Sequence, residues 1–65
     1  MFRIGNKLRD VMLERKLTIR DVASLAGLNN RTVGKVLKNG LANAKTVGLI
    51  AAGLGISGAE LLNDE

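Results

Sequence analysis

Apolar residues recur along this chain with the spacing of a helix face rather than with the alternation of a strand. Apolar positions within residues 4–12 follow the i, i+4, i+7, i+8 spacing of one helical face. Further short faces follow within residues 19–26, 33–37, 47–54 and 61–62. No stretch shows sustained period-two alternation with β-branched residues. The pattern therefore predicts helices throughout and no strand.

Residues with the chemistry of helix caps set the boundaries of these helices. Thr18-x-x-Asp21 and Ser57-x-x-Glu60 have the spacing of capping boxes, in which side chains satisfy the free backbone N–H groups of a first turn. Gly27 suits the left-handed residue that ends a helix. The remaining predicted caps are Asn29 and Asn43 at N-termini and Asn39-Gly40 at a C-terminus. The predicted helices cover residues 5–16, 19–26, 30–38, 44–54 and 58–62.

The second and third predicted helices carry the most information about function. Only three residues, 27–29, separate them, so the helices must cross at a steep angle in a helix-turn-helix. On the third helix, polar residues and one glycine fill an arc of about 140°, opposite Val33 and Val36. This arc holds three cations and no carboxylate, whereas an ordinary solvated face mixes both signs. The members of the arc are Asn30, Arg31, Gly34, Lys35 and Lys38.

Charge and composition narrow the class of protein further. Residues 1–38 carry nine basic and three acidic side chains, net +6, and residues 39–65 carry one basic and three acidic, net −2. Such a basic surplus favours a polyanionic partner. The chain has no histidine and no cysteine, which excludes disulfides, Cys/His zinc sites and His-based catalysis. We therefore expect no enzyme and no cofactor.

The same composition bears on location and domain count. The longest uncharged stretch, residues 46–59, contains four glycines and is too short to span a bilayer. The N-terminus has no apolar segment of the signal-peptide kind. We expect one cytoplasmic domain over residues 1–65, with the helix-turn-helix at about 19–38.

Residues 22–33, VASLAGLNNRTV, resemble the helix-turn-helix of the phage repressor and Cro family. Residues 8–18 are similar to the first helix of that family, and residues 46–57 to its fourth helix and the turn into the fifth. The resemblance implies an all-α, compact five-helix lambda-repressor-like domain that binds double-stranded DNA sequence-specifically, commonly as a symmetric dimer. It implies a transcription regulator, a Cro-like repressor on a palindromic operator, with no small-molecule ligand evident and no role at a membrane.

The resemblance also implies which residues contact DNA. The N-terminal part of the third helix makes the base contacts. The ends of that helix and the neighbouring turns make the contacts with the DNA backbone. The base-contacting set is Asn30, Arg31, Gly34 and Lys35, and the backbone-contacting set is Arg20, Asn29, Lys38, Asn39 and Asn43. Away from this basic surface, we expect Ile56, Leu61 and Leu62 to form the interface of a weak homodimer, although Leu61 also packs against Ile56 as a hydrophobic staple.

Three departures from the family pattern change these expectations. Ile19 stands where many members have a glutamine that binds phosphate. Met12 and Leu37 stand where many members have a buried Arg–Glu ion pair, so we expect an apolar contact between them. The segment that joins the third helix to Gly40 is also one residue longer than in many members.

Other interpretations remain open at this point. A helical protein-binding module, such as an antitoxin or an adaptor, fits the same helices. A cationic membrane-active peptide fits the basic first half, although caps interrupt every helix face and aromatic anchors are missing. Several cations also have a simpler interpretation as solubilising surface charges: Arg3, Lys7, Arg9, Arg15 and Lys16.

Overall fold

The computed structural model describes residues 1–62 of the chain and confirms the five-helix architecture. The four longer helices agree with the predicted bounds to within one residue. The elements in chain order are β1 (Phe2–Arg3), α1 (Gly5–Arg15), α2 (Ile19–Ala26), α3 (Asn30–Asn39), β2 (Leu41–Ala42), α4 (Ala44–Leu54) and α5 (Gly58–Leu62).

One aliphatic cluster holds the helices together. Helix α2 packs against both α4 and α3, while α1 packs against α3 and α5. The only aromatic residue, Phe2, is 41% exposed and does not belong to the core. Each helix from α1 to α5 contributes at least one of the buried side chains. The largest fully buried ones are Ile4, Leu8, Ile50, Leu61, Val22 and Val33.

The capping box at the start of α2 forms as predicted. The Thr18 hydroxyl accepts a hydrogen bond from the Asp21 backbone N–H at 3.1 Å, and the Asp21 carboxylate accepts one from the Thr18 N–H at 2.9 Å. The hydrogen bond from the Thr18 backbone lowers the pKa of the Asp21 carboxyl, assisted by the Thr18 side chain and the charge of Arg20. The start of the helix-turn-helix is therefore fixed by local chemistry.

The predicted caps Asn29 and Asn43 are also present, and of the predicted Ser57-x-x-Glu60 box the structure shows the hydroxyl half. The Oδ1 atoms of Asn29 and Asn43 accept hydrogen bonds from Thr32 N and Thr46 N at 2.7 and 2.8 Å. The Ser57 hydroxyl accepts one from the Glu60 N–H at 3.1 Å. Each of these bonds spans three residues along the chain and satisfies a first-turn N–H group.

The prediction that the chain contains no strand is wrong. Strands β1 and β2 pair antiparallel, with Phe2 opposite Ala42 and Arg3 opposite Leu41. Strands of two residues are too short to show alternation, and their partners lie far apart in sequence. The pairing joins the N-terminus of α1 to the C-terminus of α3, where a Cβ atom on Gly5 would lie 2.6 Å from Gly40 Cα. Glycine at position 5 therefore permits this close approach.

Two arginines on α1 have structural roles that the sequence pattern did not indicate. The guanidinium of Arg9 donates to the Leu37 carbonyl near the end of α3, at 3.3 Å. Arg15 donates to the carbonyl of Leu54, the last residue of α4. Since the last carbonyls of a helix have no partner within it, these cations stabilise the C-terminal ends of α3 and α4.

Candidate nucleic-acid interface

The turn between α2 and α3 places α3 across the surface of the domain. Gly27 ends α2 in the left-handed conformation at φ 70°, as predicted. The N–H of Leu28 donates to the Ala23 carbonyl at 2.8 Å, which closes the turn. Leu28 packs on the core beside the buried Val33 and Val36. One face of α3 is thus held inward, and its other face is left to solvent.

The outward face of α3 carries the predicted base-contacting residues. Asn30, Arg31 and Lys35 are exposed, and Gly34 is partly exposed. The helix contains no acidic residue. Arg31 and Lys35 are one helical turn apart, so their side chains reach the same region of space. A guanidinium in this position has the fork geometry for the O6 and N7 atoms of guanine.

The glycine in the middle of α3 has no explanation within the fold. A Cβ atom added to Gly34 would meet no atom within 4 Å. Glycine in a helix interior costs about 1 kcal/mol relative to alanine. The packing of the domain therefore does not require a glycine at position 34.

The predicted backbone-contacting residues lie at the ends of helices, and all of them are exposed. Arg20 is exposed in the first turn of α2, while Lys38 and Asn39 are exposed at the end of α3. Asn29 and Asn43 are exposed, and their Oδ1 atoms serve as caps. The cap uses only the acceptor of each amide, so the Nδ2 group remains a donor that suits a phosphate oxygen.

Position 19 offers no such donor. Ile19 opens α2 and is 37% exposed. An aliphatic side chain cannot hydrogen-bond a phosphate, so the contact that many family members make with glutamine is missing at this place. The cation closest in sequence is Arg20, the next residue, which is exposed.

The prediction for the dimer surface needs one correction. Leu61 is fully buried, because its side chain belongs to the core cluster of its own chain. It therefore has no surface to offer a partner. Ile56 is partly buried against the same core, and Leu62 is 42% exposed. Of the three predicted residues, Leu62 alone presents a large apolar surface.

The surface of the domain also has a feature that the sequence did not indicate. The structure has an open cleft between the start of α1 and the end of α3. Nothing in the periodicity or the caps predicts this cleft, because it depends on the pairing of β1 with β2. It is lined by Arg3, Gly5, Asn6, Arg9 and residues 37–41.

Residues 1–62 contain no cluster of acidic, histidine or cysteine side chains that could hold a metal ion. Among the same residues, no helix has the length and apolar character needed to cross a bilayer.

The fold and this surface define a helix-turn-helix domain of the DNA-binding type. A family model described as helix-turn-helix, of the phage repressor and Cro type, matches residues 8–61. The chain belongs to this family, whose members are DNA-binding regulatory domains rather than enzymes. DNA is therefore its partner. Comparison with curated proteins and with solved structures finds no match.

Proposed function

We propose that this protein is a sequence-specific transcription repressor of the Cro type, which binds a palindromic operator through the major groove of DNA. The observation that carries the proposal is the outward face of α3, which is exposed, cationic and free of carboxylates, and is interrupted by a glycine that the fold does not require. In helix-turn-helix proteins, the N-terminal residues of the second helix face base edges.

The proposed mechanism divides the contacts into two kinds. Arg31 reads a guanine, Lys35 reaches a neighbouring base or a phosphate, and Asn30 pairs with adenine. Gly34 lets the helix backbone approach the groove. The surrounding side chains hold the helix in register by binding phosphate and carry no sequence information themselves. These are Arg20, Asn29, Lys38, Asn39 and Asn43.

The repressor acts by occupying a promoter. Its regulation depends on concentration and on competition for the site, and it works in the cytoplasm, at the nucleoid when bound to DNA. The net charge of +6 over residues 1–38 supplies attraction to any duplex, and the face of α3 supplies the preference for one sequence.

Selection of binding sites from random duplexes tests this proposal. We expect one short palindromic sequence to emerge, and affinity for it to fall by orders of magnitude between about 50 and 200 mM salt. Selection that yields no preference, or an affinity nearly independent of salt, would contradict it. Leakage of anionic vesicles without duplex binding would instead favour a membrane-active peptide.

The dimer is the second part of the proposal. Two copies bind the two halves of the palindrome, and Leu62 and Ile56 form a weak contact that strengthens on DNA. Sedimentation of the chain alone and on full palindromes measures this. We expect Leu62→Lys to reduce the fraction of palindromes that bind two copies at once, whereas Leu13→Lys should leave this fraction unchanged. Leu13 is the matched control because it is 72% exposed and receives the same charge. A monomer in both states would contradict the dimer.

A further inference from the structure

The cleft at the end of α3 brings together two parts of the chain that are distant in sequence. Its first wall is β1 with the start of α1, and its second wall is residues 37–41. Backbone contacts join the walls, because the N–H groups of Ile4 and Gly5 both donate to the Gly40 carbonyl, at 2.9 and 3.2 Å. The cleft is therefore a fixed feature of the fold rather than a chance approach of side chains.

The charged side chains that line this cleft are all cations. Arg3 and Arg9 come from the first wall and Lys38 from the second, and all three are exposed. The amides of Asn6 and Asn39 line it as well. Cations held close together repel one another, and an anion placed between them removes this repulsion. The lining is thus complementary to an anion with several acceptor oxygens.

Arg9 is already oriented for such an anion. Its Nη2 atom donates to the Leu37 carbonyl at 3.3 Å, which holds the guanidinium at the wall of the cleft. A guanidinium has five N–H donors, so most of them remain after this bond. Their planar arrangement suits two oxygens of one phosphate group.

We propose that this cleft binds a backbone phosphate of the operator, just outside the base pairs that α3 reads. The inference rests on the proposed function. Lys38 and Asn39 connect the two surfaces, because they line the cleft and also belong to the predicted backbone-contacting set. The cleft extends that set from the end of α3 to Arg3, Asn6 and Arg9. Each half-site would therefore have a longer footprint than the helix-turn-helix alone gives.

Arg3→Gln is the test variant, and Lys16→Gln is its matched control. Both substitutions remove one exposed cation, so they lower the net charge equally. Lys16 follows the last residue of α1 and is seven residues from Arg9, so it lies about 10 Å along the helix axis from the nearest cleft residue on that helix. Arg9 is less suitable, because its substitution would also remove a hydrogen bond within the fold.

The experiment measures affinity on the selected operator and on copies in which one phosphate at a time is a neutral methylphosphonate. Because two copies occupy the operator, we expect Arg3→Gln to reduce the salt slope by about two, and affinity at 0.1 M salt by about eightfold for each half-site, as one lost phosphate contact per copy implies. Lys16→Gln should leave both nearly unchanged. One flanking methylphosphonate should weaken the wild type and leave Arg3→Gln unaffected, which would identify the phosphate.

The possible failures are distinguishable. If no duplex is preferred by the wild type, the proposed function fails and the cleft proposal fails with it. If the operator is bound with a strong salt dependence but the two variants lose equal affinity, only the cleft proposal is overturned. An NMR titration with inorganic phosphate then distinguishes a free-phosphate site from a contact with DNA. Shifts confined to the cleft, with unchanged operator binding by Arg3→Gln, would indicate a free-phosphate site and overturn the DNA assignment.

Discussion

Helices α3 and α4 are built by the same local rules but present different surfaces. Each begins at an asparagine whose Oδ1 accepts an N–H three residues later, Asn29 and Asn43 respectively. Each ends at a glycine in the left-handed conformation, Gly40 and Gly55. Each also buries valine on its inner face. Capping and core packing therefore explain why both are helices, and they do not explain what either one does.

The outward faces make the difference. The exposed residues of α3 are Asn30, Arg31, Lys35, Lys38 and Asn39, whereas those of α4 are Ala44, Lys45, Gly48, Leu49 and Ala52. Three cations and two amides on one face suit phosphates and base edges, and a face of small residues with one lysine does not. The side chains of α3 that suit DNA are therefore ones that contribute little to the stability of the fold.

Each of these two helices also has one glycine on its outward face. A Cβ atom on Gly34 of α3 or on Gly48 of α4 would meet nothing within 4 Å. Gly53 of α4 is different, because a Cβ atom there would lie 2.6 Å from the Leu25 carbonyl oxygen. The fold therefore requires the inward glycine and leaves both outward ones free to change. This gives a matched pair of positions for experiments.

The largest expected effect concerns the predicted contact between Met12 of α1 and Leu37 of α3. Met12 is 8% exposed, so Met12→Arg places an unpaired charge in the core and should cost about 3–5 kcal/mol. That is comparable to the whole stability of a small domain. Because Leu37 packs against the same core, Leu37→Glu should restore part of the loss by pairing with the new arginine.

Urea unfolding of the single and double variants measures this effect. Leu13→Arg is the control, since Leu13 is adjacent to Met12 in sequence and 72% exposed. It should unfold almost as the parent does. A double variant no more stable than Met12→Arg alone would show that residues 12 and 37 are not in contact.

The second expected effect separates stability from binding at the two outward glycines. Gly34→Ala and Gly48→Ala should each raise the free energy of unfolding by about 0.5–1 kcal/mol, because alanine is the better helix former. Gly34→Ala alone should weaken operator binding, by about tenfold, since its methyl group meets the groove floor at a cost of about 1.4 kcal/mol. Equal operator affinities for the two variants would remove Gly34 from the interface.

The smallest expected effect concerns the cap before the helix-turn-helix. The pKa of Asp21 is lowered in the folded chain, so its carboxylate stabilises the fold above the usual carboxyl pKa of about 3.9. This stabilisation is lost as the pH falls through the lower, folded value. Asp21→Asn should therefore melt below the wild type at pH 7 and at a similar temperature near pH 2. Asp10→Asn controls for net charge, and an Asp21→Asn deficit that persists at the lower pH would contradict the capping role.

Much of the fold could be predicted from the sequence because its signals are local. Thr18, Asn29, Gly27 and Gly40 act on backbone groups within three or four residues, so their spacing is visible in the chain itself. The β1–β2 pair could not be predicted, since it joins Phe2 to Ala42 and involves only two residues on each side. Such pairing depends on tertiary structure rather than on a repeating pattern.

The candidate site was predictable to a similar extent. The exposed arc on α3 follows from helical periodicity around Val33 and Val36, and the structure confirms its exposure. Arg9 could not be assigned, because its partner, the Leu37 carbonyl, lies 28 residues away. The burial of Leu61 could be predicted only in part. Its spacing from Ile56 indicated a local contact, but not that the side chain is fully buried.

Measuring Arg31→Ala against the selected operator and all of its single-base variants tests the central claim most directly. If Arg31 reads a base, alanine should cost about 1–3 kcal/mol on the operator and relax the preference at one position in each half-site. Preferences elsewhere in the half-site should be unchanged. A uniform loss across all variants, with a salt slope lower by about one per bound copy, would show that Arg31 binds only phosphate and would contradict base reading by this residue of α3.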